Sequence, residues 1–205
     1  MDIEFKISKN PVNYEKALQL LEKRANKVKK GGRELVWFLE HPTTYTAGIR
    51  HKKEEILDKS INLVKTNRGG KITLHNPGQK IVYFVINLNK RKKNIRNLVR
   101  EVENIIIEFL KIYKIKSYAD KKNIGIWVNR KKIAAIGIRV SRWVAYHGFS
   151  ININNDLNDY KKIVPCGLDN EKVTSFKKEG KKPFDINKNL KNVFLKNLPK
   201  IWYFF

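Results

Sequence analysis

A single cysteine, Cys166, occurs in the 205 residues, between the turn formers of Ile163-Val164-Pro165-Cys166-Gly167-Leu168. One thiol cannot close an intramolecular disulfide or build a thiolate-rich metal site. It is either a small buried side chain or a reactive nucleophile. Thiol chemistry needs a cation or base beside the sulfur and room for a substrate. The rest of the chain offers lysine, histidine and glycine-rich turns, among them the stretch Lys131-Lys132-Ile133-Ala134-Ala135-Ile136-Gly137-Ile138. Strand alternation would place Lys132, Ala134 and Ile136 on one face and Ile133, Ala135 and Gly137 on the other. Small residues in a strand leave space for a chain-like ligand. In so lysine-rich a chain, Lys132 also fits a plain solvated charge.

Two further stretches combine glycine with polar chemistry. Arg68-Gly69-Gly70-Lys71-Ile72-Thr73-Leu74-His75 runs into Asn76-Pro77-Gly78. Paired glycines let backbone approach a ligand closely, and Arg68 and His75 add a fixed charge and a titratable group. The spacing matches neither a P-loop nor a dinucleotide fingerprint, and a glycine turn leading into a hairpin explains it structurally. Tyr146-His147-Gly148-Phe149-Ser150 enters a strand. His147 fits a general base or a hydrogen-bonded structural histidine, and His41 reads the same way. Four dispersed histidines and one cysteine lack the spacing of a zinc site. No nucleophile elbow surrounds a serine.

The elements that must position these residues follow from hydrophobic period. Tyr14, Ala17, Leu18, Leu21, Ala25 and Val28 predict a helix from Asn13 to Val28, stopped by Gly31-Gly32. The continuous apolar run Leu35–Leu39 predicts a buried strand. Strands are expected near Leu63-Val64, over Lys71–Leu74 and over Ile81–Leu88, the last two around Asn76-Pro77-Gly78. Ile95, Leu98, Val99, Val102, Ile105, Ile106, Phe109 and Leu110 predict a helix over Asn94–Tyr113 that packs on a sheet. Strands are expected over Ile124–Val128, Lys132–Val140 and Val144–Ile153, and a short helix from Asp156. A last helix is predicted over Ile186–Leu198, with Asp185 as N-cap and Pro199 beyond its end, before an apolar tail that packs back. Together these imply an α/β (α+β) fold, a mixed β-sheet flanked by helices, in one domain spanning 1–205.

Composition bounds the class. An apolar content of 41% suits a globular chain. No basic leader or membrane-length apolar run is present, so a cytoplasmic protein with no membrane partner is expected. Forty-four Lys and Arg against nineteen Asp and Glu give a net charge of +25. The excess is mainly lysine in scattered pairs, alongside abundant Asn and Ile, the signature of AT-rich codons. Nucleic acid is therefore not the expected partner. Attraction of acidic proteins remains open.

The motifs as a set carry a resemblance. Glu40-His41-Pro42 through Gly48, Arg68 to Gln79, Lys132 to Arg139, Tyr146 to Asn152, Pro165-Cys166-Gly167-Leu168 and Val173-Thr174-Ser175 occur in the order and spacing of the octanoyltransferases of lipoate biosynthesis. The likeness covers about residues 10 to 200. It implies a fold like the catalytic domain of biotin and lipoate ligases. It also implies acyl transfer from octanoyl-acyl carrier protein to the lipoyl-domain lysine of 2-oxoacid dehydrogenases and glycine cleavage H protein, without a cofactor or metal. By the same likeness Cys166 is the acyl-thioester nucleophile and Lys132 favours its thiolate. Arg68, Gly69, Gly70, Lys71, Ile72, Thr73, Leu74 and His75, with Ala135, Ile136, Gly137, Gly148, Phe149 and Ser150, form the acyl-substrate segments. Two positions depart from the family: Leu74 replaces an aromatic before the motif histidine, and Asn76 replaces a glycine after it. An ATP-dependent lipoate or biotin ligase is the alternative within the fold, and a basic nucleic-acid-binding protein the alternative outside it.

Overall fold

The structure, a computed structural model, describes residues 3–91, 93–120, 123–164 and 172–202, with 198–202 in backbone only. The chain opens with β1 (Ile3–Ile7), α1 (Tyr14–Lys29) and β2 (Glu34–Leu39), and β1 lies parallel to β2. β3 (Thr44–Ala47), β4 (Leu63–Lys65) and β5 (Ile72–His75) follow, then β6 (Gln79–Asn87) and α2 (Ile95–Ile112). After them come β7 (Tyr118–Ala119), β8 (Ile126–Val128), β9 (Lys131–Ser141), β10 (Val144–Asn152) and α3 (Ile186–Trp202).

Seven strands make the main sheet in the order β1-β2-β6-β10-β9-β8-β7, antiparallel except for β1 and β2. A smaller sheet has the order β4-β3-β5. The expected mixed sheet with flanking helices is present.

The central strands are apolar throughout because both of their faces are covered. Val36, Phe38, Val82, Phe84 and Ile86 pack with α2 and with Leu190, Val193 and Phe194 of α3. Their neighbours Leu35, Trp37, Leu39, Ile81, Tyr83 and Val85 pack under Ala17, Leu21 and Val28 of α1. A third cluster joins Tyr45, Ala47, Ile72 and Leu74 of the small sheet to Tyr160, Ile163 and Val173. Asn13 and Asn94 cap α1 and α2, their side chains accepting from the N–H groups of Lys16 and Asn97 at 3.0 Å.

Four details differ from the sequence expectation. β5 and β6, either side of Asn76-Pro77-Gly78, do not form a hairpin. They part into different sheets, β5 pairing with β3 and β6 with β2 and β10. The short helix expected from Asp156 is a 3-10 turn over Asn158–Lys162. A bulge interrupts the pairing of β8 with β9, where Ile126 opposes Ala134 and Trp127 opposes Lys132. Strict alternation fails there, and Ile133 and Ala134 both join the α2–α3 core. Finally, α3 runs through Pro199 to Trp202. A proline deletes one helical hydrogen bond and crowds the preceding turn, which kinks a helix without always ending it. Asp185 does hold the cap position, its carbonyl accepting from Asn189 N–H at 2.9 Å. The tail residues 203–205 lie outside the described residues.

Candidate active site

A cleft of about 460 Å³, counted to its open mouth, lies where β5, β6, β9, β10 and the Arg68–Gly70 turn converge. Ala135, Ile136 and Gly137 of β9 and Gly148, Phe149 and Ser150 of β10 line it, with Arg68, Gly69, Gly70, Thr73 and His75. Gly137 and Gly148 face each other across the two strands, as do Ala135 and Ser150, so the wall is cut low where the strands meet. A Cβ on Gly148 would sit 2.0 Å from the Val82 carbonyl oxygen, so no side chain fits there. At Gly48 a Cβ would come 2.4 Å from the Gly70 carbonyl oxygen, so that glycine lets the Arg68–Gly70 turn close down.

Three residues of the Arg68–His75 segment do not line the cleft, and strand period explains two of them. Thr73 and His75 face it, whereas Ile72 and Leu74 point into the Tyr160–Ile163–Val173 cluster. Lys71 turns away to Glu55, 2.8 Å distant. Both departures from the family motif are accommodated. Leu74 fills that cluster rather than the cleft. Asn76 donates to the Asp156 carbonyl and to Asp159 Oδ2 and accepts from Asn155, at 2.8–3.0 Å.

Ile81, Tyr83 and His147, outside the segments that the family likeness implies, also line the cleft. Ile81 and Tyr83 are hidden in an apolar run, where nothing marks the cleft-facing members. His147 has the left-handed backbone φ of 69°. Its strand neighbours Ala145 and Phe149 face the α2–α3 core, yet its ring meets Tyr83 edge-on at 6.0 Å on the α1 side. The strained turn in φ swings the imidazole into the cleft.

Below the cleft lies a buried polar floor. His75 donates through Nδ1 to Gln79 Oε1 at 2.7 Å and stacks on Tyr14, the first residue of α1, at 5.7 Å. His41 donates through Nδ1 to the Val12 carbonyl at 2.6 Å and accepts at Nε2 from the Tyr83 hydroxyl at 2.9 Å. His147 Nε2 donates to Asn67 Oδ1 at 3.3 Å. Burial is the main cause that lowers all three imidazoles, His41 to about 4 and His75 and His147 to about 3. His41 and Arg68 depress His75 further, and Arg68 and Arg139 act on His147. Each is a neutral imidazole near pH 7, able to hydrogen-bond but not to deliver a proton as an imidazolium.

Arg68 acts on both His75 and His147. Its guanidinium donates to the Gly69 carbonyl and to the carbonyl and hydroxyl of Thr46 at 2.8–3.0 Å. It has no carboxylate partner among the described residues, and its Nε–H is buried without an acceptor. A fixed cation thus sits at the cleft rim among backbone dipoles.

Lys132 lies outside the cleft lining, at the bulge on β9, three residues before Ala135. Its ammonium donates to the Ile124 carbonyl at 3.2 Å and stands 4.8 Å from the centre of the Trp127 ring. Gly125 makes room for it, since a Cβ there would meet Lys132 Cε at 3.0 Å. Cys166 lies outside the described residues. The chain that carries it departs where Val164 N–H donates to the Glu55 carbonyl at 2.8 Å. It returns beside Lys132, where Val173 bridges to that residue and Thr174 N–H donates to its carbonyl at 3.0 Å.

Fold and cleft fit the match of residues 13–198 to the lipoyl protein ligase A/B catalytic domain, and the chain belongs to that family. A bipartite lipoate protein ligase from Thermoplasma acidophilum superposes with a TM-score of 0.75 at 15% identity, covering 97% of this chain and 84% of that one. The biotin protein ligase of Leishmania major has the same fold more distantly, with a TM-score of 0.58 at 13% identity, covering 98% of this chain and 74% of that one. An octanoyltransferase of Wolbachia sp. subsp. Brugia malayi is 42% identical over 95% of this chain and 98% of its own length. One from Ehrlichia canis is 44% identical over 87% of this chain and 86% of its own. Within the family, the chain is a member of the octanoyltransferases.

Proposed function

We propose that this enzyme moves an octanoyl group from octanoyl-acyl carrier protein to the lysine of a lipoyl domain, through a thioester on Cys166. Residues 1–205 act in this reading as a single catalytic domain in the cytoplasm. Among the described residues, no helix is long and apolar enough to cross a membrane. The observation that carries the reading is the 42% identity to an octanoyltransferase along nearly the whole chain, over a strand that joins Lys132 to a cleft walled by Ala135–Gly137.

The Cys166 thiolate attacks the octanoyl thioester carbonyl. The bond to the carrier sulfur breaks, and the carrier leaves as a thiol with a proton from the Lys132 ammonium. An unperturbed thiol, with a pKa of ~8.5, is mostly protonated at neutral pH, and an ammonium beside it favours the thiolate. The lipoyl-domain amine then attacks the acyl-enzyme. The amide forms, Cys166 leaves, and the surplus amine proton returns to the amine of Lys132. The cleft holds the alkyl chain against Ile81, Ile136 and Phe149. Thioester to amide is downhill, so no nucleotide is consumed. The enzyme mixed with octanoyl-acyl carrier protein should gain one octanoyl group by intact mass spectrometry, released by hydroxylamine and absent in Cys166→Ala. Undiminished transfer by Cys166→Ala would falsify the covalent step.

A further inference from the structure

The segment between β3 and β4 is tied to both halves of the candidate site. At one end Ile49 N–H donates to the Arg68 carbonyl and Arg50 N–H to the Gly70 carbonyl, at 3.1 and 3.0 Å, fastening it to the turn that lines the cleft. At the other, Leu57 N–H donates to the Lys162 carbonyl at 3.0 Å, and the Glu55 carbonyl takes Val164 N–H. Residues 49–57 therefore bridge the cleft rim and the point, at Val164, where the described chain leaves towards Cys166.

The surface of this bridge is unlike an ordinary loop. Ile49 is 68% exposed and Leu57 55% exposed, the two most exposed of the large aliphatic side chains among the described residues. Between them Arg50, Lys52 and Lys53 are exposed, and none pairs with a carboxylate among the described residues. Of the acidic residues in the segment, Glu55 is turned inward to Lys71 and to the Lys52 N–H, leaving Glu54 outside. Two apolar contacts flanking unpaired cations make a surface for a protein whose own patch is acidic with an apolar centre.

We propose that residues 49–57 are the docking surface for the acyl acceptor, a domain whose target lysine lies among carboxylates with an apolar residue close by. The proposal rests on the acyl-transfer function above and names where its second substrate sits. A donor that presents its thioester on a long prosthetic arm can dock far from the cleft. An acceptor lysine carries its amine only as far as its own side chain reaches, so its domain must seat on the rim itself. Residues 49–57 are hydrogen-bonded to that rim.

The test compares the wild type with Arg50→Glu/Lys52→Glu/Lys53→Glu and with Ile49→Ser, all exposed positions. Each enzyme is acylated with a small octanoyl thioester, then chased with a lipoyl domain or with free lysine amide. The triple variant should form the acyl-enzyme at the wild-type rate, from the small donor and from the carrier protein alike. It should transfer to lysine amide normally but to the domain about tenfold more slowly at low salt, with the gap closing as salt rises. Ile49→Ser should weaken domain binding by titration with no salt dependence in the difference. Unchanged transfer and binding to the domain would overturn the proposal. So would a defect confined to the carrier-bound donor, which would assign the surface to the donor, or a defect confined to polynucleotide binding. A wild-type enzyme that forms no acyl-enzyme would overturn the underlying function instead.

Discussion

The three imidazoles under the cleft make the fold sensitive to mild acid, by an amount that follows from their burial. His41, His75 and His147 take pKa values of about 4, 3 and 3 in the folded protein, against 6.5 ordinarily. A base whose folded value is lowered binds fewer protons when folded than when unfolded. Its contribution is complete above 6.5 and is lost as pH falls from 6.5 towards the folded values. Below 6.5 each imidazole gives up about 1.4 kcal/mol per pH unit, or about 2 kcal/mol at pH 5. That figure depends little on the folded values, because at pH 5 all three remain neutral in the fold. Together they remove about 6 kcal/mol, comparable with the whole stability of a typical domain, about 5–15 kcal/mol. Urea unfolding at pH 8, 7, 6 and 5 measures the loss. Carboxylates also titrate at the acid end, so His147→Gln isolates one site: its stability relative to the wild type should improve by about 2 kcal/mol between pH 8 and pH 5. Equal pH slopes for the two proteins, or native resonances of His41, His75 or His147 titrating near pH 6.5, would refute the reasoning.

Gly148→Ala forces a Cβ to within 2.0 Å of the Val82 carbonyl in the central strand pair. We expect a loss of about 3 kcal/mol, lowering the midpoint of a thermal melt by about 6–12 °C; an unchanged midpoint would contradict the packing. Lys132→Met should lose most acyl-enzyme formation near neutral pH and recover part of it at higher pH, where the thiol ionises unaided, while Lys131→Met should be nearly silent. The pH profile of thiol alkylation in both variants checks this, and a Lys132→Met profile that overlays the wild type assigns the role to another cation.

The helices and central strands were legible because each is governed by one period. The stripe from Tyr14 to Val28 and that from Ile95 to Leu110 admit only a helix covering a sheet, and the buried runs at Leu35 and Ile81 admit only strands covered on both faces. The glycines and small residues of the cleft were legible as motifs. What escaped depends on tertiary choice. Asn76-Pro77-Gly78 turns the chain, but nothing local decides whether the strands on either side pair or separate between sheets. The bulge that brings Ile133 beside Ala134 in the core is set by the pairing of β9 with β8. His147 carries no local sign that its backbone turns left-handed, because that strain is held by the strands on both sides. Tyr83 and Ile81 look like their neighbours until the cleft opens beside them. The segment 49–57 offered only scattered lysines, and its position on the rim appears only once the turn at Arg68 and the chain after Lys162 are folded against it.

The order of the main sheet has a consequence for how the chain emerges during synthesis. β6 bonds to β2 along one edge, and its other edge waits for β10. β10 begins at Val144, 57 residues after β6 ends at Asn87. At translation speeds of about 5–20 residues per second, this leaves β6 with an open edge for roughly 3–11 s. That edge belongs to Ile81-Val82-Tyr83-Phe84-Val85-Ile86, apolar on both faces, the kind of strand that recruits other strands or a chaperone. The cleft cannot exist before that edge closes, because β10 supplies both its wall and His147. The nascent protein thus passes this interval of an open apolar edge before the substrate cleft is complete.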